Sequence, residues 1–268
     1  MNVQEVIDAI LRDACGGPKL EKTCDVLASG TPDMQVTGIV TTFMATVDVI
    51  KEAAAIGANL IITHEPTYFT GADELEWLRQ DPVYFAKKKL IEDHGIAIWR
   101  FHDHMHMAHT DRIYDGLLKE IGWEDKLIEQ RPPWAYEIEK TTLGELAEFF
   151  KSKLSMNAIR VVGRPDMPCS RVGILVGGGS LGLGREQMPA EVMRDKDLDV
   201  MVCGEITEWT LCAYVNDAAM LGMNKAMIVV GHERTEEWGM KHMADWLRPL
   251  VGVIPVAFVD AKEPFAYL

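Results

Sequence analysis

Three short apolar segments of this chain each end in a histidine followed by a carboxylate. They are residues 60–62 before His64 and Glu65, residues 96–101 before His102, and residues 226–230 before His232. Apolar runs of this length are typical of strands buried in parallel sheets, and ligands bind at the carboxyl ends of such strands. Imidazole and carboxylate are ligands that borderline divalent metals accept. Three such strand ends therefore predict one polynuclear metal site.

Composition limits the classes of protein that this sequence can belong to. The 268 residues are 48% apolar, enough for one large α/β domain or two small lobes. A net charge of −14 argues against broad electrostatic binding to nucleic acid or anionic lipid. We therefore expect neither nucleic acid nor a membrane as a partner.

Residues 1–7 lack the basic start and apolar core of a signal peptide, and no run of about 18 apolar residues predicts a membrane span. The five cysteines form no CxxC pair, which argues against a disulfide scaffold or a structural zinc knuckle. Together these features predict a cytoplasmic protein.

The first half of the chain is predicted to consist of alternating strands and helices. Apolar spacing predicts helices over residues 2–14, 47–56 and 81–94, and strands over residues 36–42, 60–63 and 96–101. The order from residue 36 is β-α-β-α-β, which implies parallel strands joined by right-handed crossovers.

The second half repeats this order. Strands are predicted over residues 171–176, 198–205 and 226–230, and helices over residues 142–153, 208–220 and 236–247. Residues 58–65 match residues 198–205 in pattern, which indicates a diverged internal duplication. The predicted fold is α/β, with two similar interlocked lobes, mainly parallel central sheets and a metal site between them. The predicted lobes are residues 1–130 and 131–268.

Each histidine motif has a simpler interpretation as well as the interpretation as a metal ligand. His102, His104 and His106 alternate, so an extended backbone would place all three on one side; the alternative is a solvated histidine cluster in a loop. His64 and Glu65 could instead form a polar strand end that faces water.

His232 and Glu236 are four residues apart, so a helix that begins there places them on one face. Acids favoured by the helix dipole would explain Glu236 but not His232. The glycine-rich residues 177–184 could hold an anion or form a flexible loop.

These motifs together resemble those of one family over nearly the whole chain. It is the dinuclear-metal-centre family related to the yeast NGG-interacting factor, whose members often bear the name type 2 GTP cyclohydrolase I. Its members carry Thr-His-His-Pro, His-Thr-Asn-Leu-Asp, Thr-Gly-Glu and Gly-His-x-x-x-Glu. The matching segments here, in the same order, are residues 63–66, 102–106, 203–205 and 231–236.

Two departures from the family pattern offset each other. Glu65 stands where the family has the second histidine, and His106 stands where it has aspartate. The resemblance thus implies a ligand set of three imidazoles and two carboxylates, namely His64, Glu65, His106, His232 and Glu236. Trp209 replaces a further family histidine.

The resemblance implies two divalent ions per chain (Zn, Fe or Mn), with Glu65 or Glu236 bridging them. His102, His104 or Glu205 would contact the ligands rather than the ions, or act as a proton shuttle. It also implies a ring-shaped hexamer, and the length leaves no room for the middle domain that many members insert. The favoured function is a metal-dependent hydrolase; the family name alone suggests its small-molecule substrate, a nucleotide or a cyclic amide-like compound. The alternative is a non-enzymatic metal-binding or scaffold protein.

Overall fold

The structure is a computed structural model that describes residues 1–18 and 20–268. Its described residues divide into two compact units. Unit 1 comprises residues 1–116 and 237–262, and unit 2 comprises residues 117–236 and 263–268. The units differ from the continuous lobes expected on either side of residue 130, because the carboxyl-terminal part of the chain returns to the sheet of unit 1.

The sheet of unit 1 has five strands in the order β1-β4-β3-β2-β10. The strands are β1 (Leu27–Ser29), β2 (Ile39–Thr42), β3 (Leu60–Thr63), β4 (Ala97–Arg100) and β10 (Val256–Phe258). Strands β10, β2, β3 and β4 are parallel, and β1 is antiparallel to β4. Every residue of β2, β3 and β4 is buried, as expected for parallel strands covered on both faces.

The sheet of unit 2 also has five strands, in the order β5-β7-β8-β9-β6. The strands are β5 (Ala135–Thr142), β6 (Arg160–Val162), β7 (Pro168–Leu175), β8 (Val200–Cys203) and β9 (Ala226–Val229). The central strands β7, β8 and β9 are parallel, and the two edge strands are antiparallel to them. Two mainly parallel sheets confirm the α/β class predicted from the sequence.

The α-helices are α1 (Val3–Cys15), α2 (Val47–Ala55), α3 (Pro82–Asp93), α4 (Asp103–His106), α5 (Arg112–Ile121), α6 (Leu143–Lys153), α7 (Met188–Asp195), α8 (Ala213–Met220) and α9 (His232–Val251). Helices α1, α2, α3, α6 and α9 cover segments for which apolar spacing predicted a helix, whereas α5 and α7 were not predicted. Local capping explains where several begin. The Asn2 side chain accepts from the Glu5 amide at the start of α1, and Asp81 does the same for Tyr84 at the start of α3.

Two local predictions were wrong. Residues 103–106 form the helical turn α4 rather than an extended segment, because the turn's amide groups have an acceptor distant in sequence, described below. Residues 208–220 do not form one regular helix. A π-helical turn spans Glu208–Cys212, with non-helical dihedral angles at Thr210, before α8 begins.

Among the described residues, no helix combines the length and the apolar character that crossing a membrane requires.

Candidate metal centre

In unit 1, two neighbouring parallel strands bring the first two histidines together. Thr63 at the end of β3 is paired with Arg100 at the end of β4, so the residues that follow each strand leave the same edge of the sheet. The imidazole rings of His64 and His102 are stacked, with centroids 4.4 Å apart and an interplanar angle of 23°. His64 is fully buried.

The helical turn α4 adds a third imidazole to this pair. His102 and His106 are four residues apart, so one turn of helix places them on the same side. The His106 ring centroid is 5.1 Å from that of His64 and 5.1 Å from that of His102. One nitrogen from each of the three rings lies within 4.8 Å of the other two, which is close enough for a shared ion.

The same turn directs His104 elsewhere. Its Nδ1 lies 2.7 Å from Asp25 Oδ2, and its side chain is 2% exposed. A residue two positions along a helix points away from its neighbours on the ligand side. The alternation that suggested three histidines on one face thus yields two, His102 and His106, while the third ring comes from His64.

Each of the three clustered rings has Nδ1 next to an acceptor. His64 Nδ1 lies 3.2 Å from Phe101 O, His102 Nδ1 lies 3.0 Å from Asp103 Oδ1, and His106 Nδ1 lies 2.9 Å from Asp111 Oδ2. Because a carbonyl or carboxylate oxygen only accepts, Nδ1 carries the proton in each neutral ring and Nε2 keeps its lone pair. This is how proteins orient imidazoles toward metals, and the residues of unit 1 therefore fit a divalent ion.

Glu65 is held at the edge of this cluster by Arg100, a residue that the sequence did not single out. The Arg100 Nη2 atom is 3.5 Å from Glu65 Oε2, and both side chains are largely buried. Arg100 also donates to the carbonyl oxygens of His64 and Gly71. The other carboxylate oxygen, Oε1, lies 3.8 Å from His102 Nε2. Glu65 is thus close to the imidazole cluster while its charge is partly balanced by a guanidinium.

Asp25 is a second residue that the sequence did not reveal, and it fixes the shape of α4. Its carboxylate accepts from the backbone amides of His102, Asp103 and His104 at 2.7–3.1 Å. These are the amides that a helix leaves without an intrahelical partner. Asp25 lies 77 residues or more away in sequence, so no local pattern could indicate this contact.

Next to Asp25, Cys24 and Asp103 form a short hydrogen-bond network with His102. Burial alone would raise the pKa of Asp103, but hydrogen bonds from the Cys24 amide, His102, Thr23 and the Cys24 thiol lower it well below its usual range. Burial and the hydrogen bond to Asp103 raise the pKa of the Cys24 thiol to about 12. In the absence of an ion, Asp103 is thus ionised and Cys24 is a thiol.

In unit 2, the start of α9 brings His232 and Glu236 together. His232 is the first residue of the helix, and its Nε2 lies 3.1 Å from Glu236 Oε2. On the other side of the ring, His232 Nδ1 lies 3.1 Å from Glu205 Oε1. Glu205 follows β8 closely, and β8 lies beside β9 in the sheet. Unit 2 therefore offers an imidazole and a buried carboxylate on one helix face, with a second carboxylate behind the imidazole.

The glycine-rich segment packs its backbone against this pair. The Gly177 amide donates to Thr235 Oγ1 at 2.9 Å, so it is not directed at an anion. A Cβ atom at Gly177 would overlap the Glu236 carboxylate and lie 2.6 Å from His232 Nε2. The backbone of Gly177 also has φ +47°. Glycine is therefore required here by space, and the segment's contact with the pair was not evident from the sequence.

The predicted ligands thus divide between the units. Unit 1 contains His64, Glu65 and His106, and unit 2 contains His232 and Glu236. Of the three residues expected behind the ligands, Glu205 supports His232 and His104 supports the turn. His102 lies within the imidazole cluster itself.

Comparison with known proteins adds independent information. A sequence model of the Duf34/NIF3 (NGG1p interacting factor 3) family matches residues 1–264. A Clostridium perfringens protein named GTP cyclohydrolase 1 type 2 homolog is 23% identical over 260 residues, which is 90% of each chain. A Clostridium acetobutylicum protein of the same name is 26% identical over 220 residues, covering 78% of this chain and 76% of the relative.

Solved structures show the same fold. The crystal structure of a Bacillus cereus protein related to NIF3 superimposes with a TM-score of 0.77 at 17% identity, covering 100% of this chain and 99% of the other. A Staphylococcus aureus crystal structure gives a TM-score of 0.75 at 21% identity, with coverage of 100% and 99%.

Proposed function

This chain belongs to the Duf34/NIF3 family, and from that premise we propose that it is a metal-dependent hydrolase that binds two divalent ions per chain. The proposed ligands are His64, Glu65 and His106 in unit 1 and His232 and Glu236 in unit 2. His102 lies in the same imidazole cluster, with one of its ring nitrogens within 4.8 Å of a ring nitrogen of His64 and of His106. The donor set of imidazole and carboxylate suits Zn, Fe or Mn.

The observation that carries the proposal is the orientation of the imidazoles in unit 1. Three rings lie with centroids 4.4–5.1 Å apart, and each has Nδ1 beside an oxygen acceptor. Three protonated rings at these distances would repel each other strongly. A bound cation, in contrast, uses the lone pairs that this arrangement directs inward.

Bound divalent ions would supply Lewis acidity toward a substrate oxygen and an activated water at neutral pH. The chain's own residues would orient and assist. Glu205 lies beside His232 Nδ1 and its side chain is 48% exposed, so it can exchange protons with solvent. Arg100 would limit the negative charge of Glu65. The name of the Clostridium relatives suggests a nucleotide substrate. We also propose a homo-oligomer in the cytoplasm.

The test combines metal content with turnover. Purified protein, freed of metal and reloaded with Zn, Fe or Mn, should hold two ions per chain and hydrolyse at least one substrate in a panel of nucleotides, phosphoesters and cyclic amides. His106→Ala should reduce both metal content and turnover. The matched control is His94→Ala, because His94 is an exposed histidine that caps α3 in the same unit.

Three outcomes separate the alternatives. Two ions per chain with turnover support the proposal. Two tightly bound ions without turnover across the panel favour a non-enzymatic metal-binding protein. Metal content that is unchanged in His106→Ala would refute the proposed ligand role of His106.

A further inference from the structure

Cys24, His102 and Asp103 form a second cluster of ligand atoms in unit 1, which has His102 in common with the imidazole cluster. One ligand atom from each residue lies within 4.8 Å of the other two. The Cys24 Sγ atom is 3.2 Å from Asp103 Oδ1, and His102 Nδ1 is 3.0 Å from the same oxygen. All three side chains are partly buried.

These separations are close to the edges of a tetrahedral zinc site. With usual Zn–S, Zn–N and Zn–O bond lengths, adjacent tetrahedral ligands lie about 3.6 Å (S to O) and about 3.4 Å (N to O) apart. The observed distances of 3.2 and 3.0 Å are hydrogen bonds, slightly shorter than those edges. Outward movements of about 0.4 Å would convert the hydrogen-bonded triad into three ligands of one ion.

We propose that Cys24, Asp103 and His102 Nδ1 form an additional binding site for a thiophilic divalent ion of the zinc class. Binding releases the thiol proton of Cys24, and the proton of the His102 ring moves from Nδ1 to Nε2, so the ion takes the place of the two hydrogen bonds. The His102 ring, which stays neutral, then contacts this ion through Nδ1. The site does not depend on the hydrolase activity proposed above.

The chemistry of the donor set selects the ion. A thiolate, an imidazole and a carboxylate favour Zn²⁺ or Cd²⁺ over Mg²⁺ and Mn²⁺, which prefer oxygen ligands. The thiolate and the carboxylate together carry two negative charges, which a divalent ion neutralises. Three protein ligands leave a fourth tetrahedral position for water.

The surrounding chain already holds the ligands in place. Thr23 Oγ1 and the Cys24 amide donate to Asp103 Oδ2 at 2.8 and 3.0 Å, which fixes this oxygen and turns Oδ1 toward the thiol and the imidazole. Asp25 fixes the amides of His102 and Asp103. Such supporting contacts are what orient ligands at metal sites.

Cobalt provides a direct test, because a thiolate bound to Co²⁺ gives a near-ultraviolet charge-transfer band that imidazole and carboxylate ligands do not give. The full-length protein, stripped of metal, should develop this band and saturate it with one ion per chain. Cys24→Ser should lose the band. The matched control Cys212→Ser should retain it, because Cys212 is another half-buried cysteine but lies in unit 2. His106→Ala should also retain it, although its imidazole cluster is altered.

X-ray absorption on the zinc-loaded wild-type protein gives a second measurement that needs no variant. It should show one sulfur ligand at about 2.3 Å. A wild-type protein with no thiolate band and no sulfur ligand overturns the proposal, as does a band that survives in Cys24→Ser. Loss of cobalt bands other than the thiolate band in His106→Ala concerns only the imidazole cluster, so the two proposals fail separately.

Discussion

At the scale of single residues, one buried carboxylate determines the geometry of the histidines in unit 1. Asp25 accepts from the amides of His102, Asp103 and His104 and from the His104 ring. These contacts hold α4 as a helical turn and so bring His102 and His106 to one side. The residue that shapes the candidate site is therefore not one of its ligands.

Replacing Asp25 with asparagine should destabilise the protein and weaken metal binding. The amide presents one oxygen in place of a charged carboxylate that accepts four hydrogen bonds, so we expect a loss of about 1–3 kcal/mol in the free energy of unfolding. Metal affinity should fall about tenfold, as for other groups that support ligands. Urea unfolding and calorimetric metal titration measure both. The control is Asp93→Asn, which alters an exposed ion pair with Lys89 and should change neither the unfolding free energy nor the metal affinity appreciably. An unaltered metal affinity in Asp25→Asn would contradict the role of Asp25 in shaping the site.

Gly177→Ala should disturb the His232–Glu236 pair in unit 2. The new methyl group would overlap the Glu236 carboxylate and crowd His232, at a cost of about 1–3 kcal/mol. Gly178→Ala is the matched control, because a Cβ atom there meets nothing within 4 Å. We expect lower metal content and a lower unfolding midpoint for the first variant only. Equal behaviour of the two variants would show that the close approach of Gly177 has no role.

At the scale of elements, the segments that follow β3 and β4 carry Glu65 and His106, two positions at which this chain differs from the motifs of the family it resembles. Glu65 follows β3 and is paired with Arg100. His106 is the last residue of α4, which follows β4, and its ring is hydrogen-bonded to Asp111. Each residue thus has a partner of opposite character, which supports the view that the exchange of carboxylate and imidazole is compensated.

A double-mutant cycle tests that compensation. Glu65→His leaves Arg100 facing an imidazole. His106→Asp places a second carboxylate beside that of Asp111. Each single change should therefore weaken metal binding. The double variant restores the three-imidazole, two-carboxylate set and should recover much of the affinity, because ligands of one cluster are coupled. Calorimetric affinities for all four proteins complete the cycle. Losses that simply add would mean that the exchange in the motif is coincidental.

The contact between α3 and the segment that follows β3 should depend on pH, because it involves Lys87. Its ammonium donates to Thr67 O at 2.6 Å, and burial lowers its pKa from 10.5 to about 8, with Asp73 raising it in part. Between pH 8 and 10.5 the unfolded chain therefore holds more protons at Lys87 than the folded chain does. The stability contribution of Lys87 should accordingly rise with pH across that window, by about 3 kcal/mol at most.

Lys87→Met removes this effect. The difference in unfolding free energy between wild type and Lys87→Met should shift in favour of wild type from pH 7.5 to pH 10.5. Lys88→Met, at a neighbouring and more exposed position, should show a constant difference from wild type. A pH-independent difference for Lys87→Met would indicate that the ammonium is not desolvated.

At the scale of the whole molecule, several exposed apolar side chains support the proposal that the protein self-associates. Trp209, Met220 and Leu221 are each at least 74% exposed in unit 2. Large apolar groups gathered on a surface commonly mark interaction sites. Their exposure agrees with the homo-oligomer that the family resemblance implies.

For the hexamer that the family resemblance implies, sedimentation equilibrium should give a mass of about six chains of 30.0 kDa. Trp209→Ser should weaken assembly if its indole is buried between chains. The exposed Trp77→Ser in unit 1 serves as a comparison at a different surface. A monomeric mass at micromolar concentration would refute the hexamer.

Much of the fold was determined by local sequence. Apolar spacing predicted most of the longer helices and the central strands of both sheets, since the burial of apolar side chains follows the local repeat of the helix or strand. The pairing of His232 with Glu236 was likewise predictable, because it depends only on the four-residue spacing at a helix start.

Tertiary structure decided what depends on contacts distant in sequence. Asp25 made residues 103–106 helical from 77 or more residues away, Arg100 paired with Glu65, and Gly177 approached Glu236, which comes 59 residues later in the chain. The last strand joined the first sheet by hydrogen bonding to β2. Such contacts arise from the packing of whole elements, so local patterns of apolar and polar residues do not predict them.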